Sequence, residues 1–211
     1  MNALAFDLAV PLSSWAVGGN AITPTMAVPT WSAMVGMIGA ALGIPRDDDR
    51  LPVIAADYGL AVQVVEAGER DYDFHTIQSP TASKVRPLRA RTRAQELDLD
   101  SVDDLNPTIT RREYIHGARY RVFIVQLADA PLFPVDQIIA ALRNPAYPLY
   151  AGRRSCVIGR VNAQPVGIDA LADATHWDQR IRLGKPHAMV AERHDLLTGR
   201  RTFSIRHECV A

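Results

Sequence analysis

Apolar and polar residues alternate at the start of the chain, where Leu4, Phe6, Leu8 and Val10 interleave with Ala5, Asp7 and Ala9. A period of two over that length predicts a first β-strand with one apolar face. Gly18, Gly19, Asn20 and Pro24 punctuate residues 11–29 as a loop. Residues 31–42 are then almost wholly apolar, with Thr30 placed as N-cap, Gly43 placed to end a helix and Pro45 opposing its continuation. Gly36 and Gly39 each weaken that helix by about 1 kcal/mol, which suits a helix lying close against a sheet. Leu60, Val62 and Val64 predict a second strand, and Tyr72, Phe74 and Thr76 a third, paired with the second across residues 67–70. Residues 111–115 and 119–127 read as two more strands joined by a turn at His116-Gly117. Pro134 suits the first turn of a second helix whose apolar face is Val135, Ile138, Ile139 and Leu142. Strands at 188–193 and 201–206, with a turn at Thr198-Gly199, complete the reading.

This order predicts an α+β chain with a ferredoxin-like (RRM-like) βαββαβ core and a small C-terminal β-sheet. The expected domains are a core over 1–150 and a small β region over 151–211. Between the third and fourth strands the pattern breaks. Lys84, Arg86, Arg89, Arg91 and Arg93 come first with no acid among them, and Glu96, Asp98, Asp100, Asp103 and Asp104 follow with no base. Such a split predicts an exposed insertion, about 79–107, with opposite charge on its two limbs.

With 211 residues, 48% of them hydrophobic, the chain can bury one large core. Lys and Arg number 23, Asp and Glu 23, so the formal net charge is zero. No global field attracts nucleic acid, and any such role must come from local patches. Cys156 and Cys209 lack metal or redox spacing, the N-terminal run has no basic leader, and the apolar stretch 33–44 is too short to span a membrane. The expectation is a soluble, cytoplasmic protein with reduced thiols.

No P-loop, HExxH or GxSxG pattern occurs, and the six histidines show no ligand spacing. Neither a cofactor nor a metal is expected, and no catalytic residue is assigned. The arginines carry more information. Arg111 and Arg112 precede Glu113 and Tyr114, and Arg153 and Arg154 lie between Gly152 and Ser155, just after Tyr150. Guanidinium forks match phosphate geometry, glycine lets backbone approach a phosphate, and tyrosine offers a stacking face. The bland alternative is ordinary surface ion pairing. The N-terminus of the 31–42 helix, where Ser32 stands, adds free backbone N–H groups. Trp15 reads as a core residue in preference to a base-stacking one.

Four blocks, residues 11–15, 29–43, 110–114 and 148–156, occur together and in order. In these blocks the chain resembles the CasD family, the fifth CRISPR-associated protein family, in its type I-E Cascade form. The family usually has Gln, Gly and Lys where Ser13, Ala16 and Trp31 stand. The last change removes a cation beside the helix N-terminus while leaving its backbone donors.

The resemblance implies a ferredoxin-like palm with a protruding thumb hairpin, the latter at the 79–107 insertion. It implies a non-catalytic subunit that holds the 5′ handle of the crRNA and docks on the Cascade backbone and large subunits, meeting target DNA only indirectly. The RNA-binding residues expected are Ser32, Lys84, Arg86, Arg89, Arg111, Arg112, Tyr150, Gly152, Arg153, Arg154 and Ser155. Two rivals stand beside this reading. Type I-C relatives cut precursor crRNA without metal, for which Tyr114 and His116 would serve as acid and base. A general RNA-binding domain outside CRISPR is the other, although the RNP1 signature is missing.

Overall fold

The first alternating run forms β1 (Ala3–Ser13), longer than its apolar pattern by several residues. The computed structural model describes residues 2–16, 22–80, 105–178 and 180–181. Within the expected 11–29 loop a two-residue strand, β2 (Ile22–Thr23), pairs in parallel with a later strand. Helix α1 (Trp31–Ala41) begins as the sequence predicts: the Thr30 hydroxyl accepts a hydrogen bond from the Ala33 N–H, and Gly43 takes a left-handed φ of 73° just beyond the end. A short helix, α2 (Arg50–Asp57), follows, unforeseen in the sequence because of its one buried residue, Ile54, and the absence of a side-chain cap. The second predicted helix is α3 (Val135–Arg143); Pro134 stands at its N-cap, and Val135, Ile138, Ile139 and Leu142 are buried.

The strands depart from expectation in an informative way. β3 (Tyr58–Glu66) and β4 (Glu69–Pro80) do not pair with each other. Both run antiparallel to one 22-residue strand, β5 (Leu105–Gln126). β3 takes the half of β5 from Arg119 to Gln126, and β4 takes the half from Leu105 to His116. The turns expected at 67–70 and at His116-Gly117 are therefore kinks in one long hairpin. Each kink carries a glycine in left-handed conformation, Gly68 at φ 70° and Gly117 at φ 66°. A Cβ on Gly68 would lie 2.4 Å from the His116 carbonyl oxygen, so the strands close tightly at that point. A positive-φ glycine beside a register shift bends a strand without reversing it. Pairing continues to Pro80 opposite Leu105. The insertion beyond that pair, with its basic and acidic limbs, lies outside the described residues, as do the two tail strands.

In the resulting antiparallel sheet the order is β6-β1-β5-β3-β7, with β6 (Gln164–Val166) beside β1 and β7 (His176–Trp177) beside β3. The overall class is mixed α and β, as expected. Alternation sends Leu4, Phe6, Leu8 and Val10 of β1, with Leu60, Val62, Tyr120, Val122 and Ile124, onto one face. There they pack against Met34, Val35 and Ile38 of α1 and Ile138 and Leu142 of α3. Full burial of each such aliphatic side chain stabilises the fold by about 1.5–3 kcal/mol. On the opposite face Ala3, Ala5, Ala61, Phe123 and Val125 are covered by Leu171 of a 3-10 helix (Ile168–Asp173) and by Ala174 and Ile181. Residues 151–181 thus add strands to the sheet and side chains to both cores, among them Ala151, Cys156, Val161 and Leu171. No helix among the described residues is long and apolar enough to cross a membrane.

Candidate nucleic-acid interface

The segment after α3 turns back on itself in a tight loop. The Ala151 N–H donates to the Cys156 carbonyl (2.8 Å), the Cys156 N–H to the Arg153 carbonyl (2.9 Å), and Tyr150 bridges Val157. The loop is pinned to the end of β1, where the Ser14 N–H donates to the Ala151 carbonyl at 3.1 Å. Gly152 makes this approach feasible. Its φ is 86°, and a Cβ there would lie 2.0 Å from the Ser14 carbonyl oxygen. The small residue seen in the sequence thus serves close approach to protein backbone. Burial pushes the Cys156 thiol above its ordinary pKa and marks it as a packing residue.

This pinning sets Arg153 beside β5, its guanidinium carbon 5.7 Å from the centroid of the Tyr114 ring. Arg154 and Ser155 stand exposed next to it, and Tyr150 is half-buried. The Nε of Arg153 is buried without a hydrogen-bond partner among the described residues. The Nε of Arg111 is in the same condition. Its guanidinium carbon lies 3.7 Å above the Tyr72 ring and 5.5 Å from that of Phe74. A buried donor left unsatisfied costs about 1–3 kcal/mol. Two of the arginines singled out in the sequence carry such a donor.

Arg111 and Arg112 do not act as one fork. Neighbours on a strand point to opposite faces. Arg111 stands opposite Phe74 on β4, whereas Arg112 stands opposite Asp73. Ser32 lies in the first turn of α1, half-buried, with its hydroxyl 3.3 Å from that of Thr30. Trp31, where the family has Lys, is buried in the core beneath. Lys84, Arg86 and Arg89 fall outside the described residues.

A buried carboxylate organises the region. Glu113 accepts the Thr25 N–H at 2.8 Å and pairs with Arg70 at 3.0 Å, while Arg70 also donates to the Thr25 carbonyl at 3.1 Å. Burial by itself would raise the Glu113 pKa. The Thr25 amide and the Arg70 guanidinium outweigh it and hold the carboxyl below its ordinary value. Thr25 in turn accepts the Trp15 N–H at 2.7 Å, and the Ser14 hydroxyl donates to the Glu113 carbonyl at 3.0 Å. Trp15 is fully buried, edge-on to Tyr120 at 6.0 Å, as a core residue should be.

Arg70, Tyr72 and Phe74 are the neighbours that reading the sequence missed. Their spacing of two along β4 was visible, but which face they share with Arg111 depends on register. His75 and His116 pair with Asp73 and Asp71 at 2.5 and 3.4 Å. Among the described residues no group of three or more His, Cys, Asp or Glu is arranged to hold a metal ion. What the site presents is guanidinium groups and aromatic rings, the chemistry of anion and base contact.

The chain is similar to known proteins over most of its length. The CasD subunit of the Cascade CRISPR system of Escherichia coli (strain K12) is 29% identical over 165 residues, 72% of this chain and 66% of its own length. A solved chain described as a CRISPR RNA-guided surveillance complex superimposes with a TM-score of 0.59 at 27% identity, covering 81% of this chain and 66% of that one. The chain therefore spans about two thirds of the length of each. The profile of the family described as "CRISPR-associated protein (Cas_Cas5)" matches residues 3–202, nearly the whole chain, and on that match the protein belongs to the Cas5 family of CRISPR-associated proteins.

Proposed function

We propose that this chain is a non-catalytic, RNA-holding subunit of a Cascade-type CRISPR surveillance complex, and that it grips the 5′ handle of the crRNA. The observation that supports the reading best is the pair of arginines, Arg111 and Arg153, each stacked toward an aromatic ring and each with a buried Nε lacking a partner among the described residues. Both are held by strands and by a glycine-locked loop, so little side-chain entropy remains to be lost when a phosphate arrives. Exposed Arg154 and Ser155 extend the donor set.

In this reading the sheet is a ferredoxin-like palm. The central order β6-β1-β5-β3, with α1 and α3 on one face, agrees with that topology. The long β4–β5 pair is the base of the thumb in this reading, and Lys84, Arg86 and Arg89 of the 79–107 insertion, which lie outside the described residues, are counted among its RNA-binding residues. The backbone and large subunits of the complex are the expected protein neighbours, and target DNA is met only through the guide. Binding proceeds without bond-breaking: guanidinium and amide donors neutralise handle phosphates, and rings stack on unpaired bases.

The test is salt-dependent RNA binding by the assembled complex carrying Arg153→Ala and Arg154→Ala. Loss of one or two phosphate contacts weakens binding of repeat-derived RNA and makes the log–log salt slope shallower by about 0.7–1.4. An unchanged affinity and slope overturns the assignment. Specific cleavage of repeat RNA by the purified chain in EDTA would overturn the non-catalytic part and favour Tyr114 and His116 as acid and base.

A further inference from the structure

We infer that Phe74 and Tyr72, with Arg111 between them, form a stacking platform for an unpaired nucleobase of the bound RNA; this rests on the RNA-holding reading above and extends it to residues on β4. Register places the elements together. Phe74 stands directly opposite Arg111, Tyr72 opposite Glu113, and Ile109 opposite Thr76, while Ile22 of β2 flanks Arg111 on its other side. Directly paired residues project to the same face of a sheet. One face of the three strands thus carries Phe74 (65% exposed), Tyr72 (45%), Ile22 (66%) and Ile109 (62%) around the Arg111 guanidinium.

Large apolar side chains left this open on one sheet face mark a binding surface, and charge indicates the occupant. Glu113, the acid on this face of the paired β4–β5 stretch among the described residues, is buried and already engaged by Arg70 and the Thr25 N–H. Asp71 and Asp73 belong to the opposite face, across from Tyr114 and Arg112. Arg111 is left with no carboxylate facing it among the described residues and with an unpartnered Nε. A polyanion is favoured beside this guanidinium. The guanidinium covers Tyr72 at 3.7 Å but stands 5.5 Å from Phe74. The Phe74 ring, exposed and only loosely approached by the guanidinium, is open to a flat, π-faced group, with the phosphate of the same nucleotide accepting from the arginine. Ile22 and Ile109 form the apolar margin that excludes water from the stack.

The experiment uses the full chain in its assembled complex. Repeat-derived single-stranded RNA carries 2-aminopurine at each position in turn, and both fluorescence quenching and affinity are read. One position is expected to be quenched in the wild type. Phe74→Leu, at an exposed site where folding is not at stake, should relieve that quenching and weaken binding about 5- to 30-fold with the salt slope unchanged, since a stack involves no counterion release. Phe74→Trp should restore both. Full quenching and affinity in Phe74→Leu, while Arg153→Ala with Arg154→Ala still loses RNA, overturns the platform and leaves the RNA-holding reading intact. Loss in neither variant overturns both. Normal RNA binding by Phe74→Leu with failure to co-assemble with the other subunits would show that this face docks protein, and would likewise overturn the inference.

Discussion

Gly152→Ala is the substitution that probes the interface scaffold most directly. At a φ of 86° an L-residue pays about 1–2 kcal/mol relative to glycine. The added methyl would also lie 2.0 Å from the Ser14 carbonyl oxygen and 2.8 Å from its carbon. Both are backbone atoms at the end of β1 and cannot rotate away, so the loop itself must retreat. Retreat breaks the Ser14-to-Ala151 hydrogen bond, worth about 0.5–1.5 kcal/mol. The expected destabilisation is about 2–3 kcal/mol, or roughly 5–10 °C in Tm for a chain of this size. Urea and thermal melts followed by circular dichroism measure it, with Gly159→Ala as the control. At Gly159 no atom lies within 4 Å of the added methyl and φ is not positive. Under the RNA-holding proposal, RNA affinity of the assembled complex should fall in parallel, because Arg153 and Arg154 belong to the same loop. If Gly152→Ala proved as stable as Gly159→Ala, to within about 0.5 kcal/mol, the close-approach argument would be wrong.

Two further outcomes follow from the same geometry. Glu113→Gln should destabilise the fold near neutral pH, because Arg70 and the Thr25 N–H lose their charged acceptor. Since the folded carboxyl titrates below its ordinary value of 4.5, its contribution is fully present above that pH and is lost as pH falls through the lowered folded value. The gap between wild type and variant in urea midpoint should thus be constant above about pH 5 and close in acid. A gap that persists unchanged at about pH 2 would refute the linkage. In α1, Gly36→Ala adds a methyl into open space at an exposed helical position and should stabilise by up to about 1 kcal/mol. Gly39→Ala meets the Leu51 side chain at 2.4 Å and should gain less or lose. Melting temperatures in the reverse order would contradict this packing.

Both long helices and the first strand are legible in the sequence alone, because their signals are local. Thr30 as cap, Gly43 as terminator and the Val135, Ile138, Ile139, Leu142 stripe depend on neighbours a few residues away, and periodicity reads such features directly. The Gly152-Arg153-Arg154 loop and Arg111 are likewise visible as residue types suited to anions. Pairing is not. Gly68 and Gly117 resemble hairpin turns in sequence, yet a left-handed glycine serves a kink as readily as a reversal. Only the competition among strands for partners decided that β3 and β4 together line the full length of β5. That choice carries the chemistry. It sends Arg111 and Arg112 to opposite faces, spends Glu113 on Arg70 and Thr25, and brings Tyr72 and Phe74 beside a guanidinium nearly forty residues away in the chain. Sequence determined which side chains could bind an anion. Long-range register, set by burial of the apolar face rather than by any local preference, determined which of them meet.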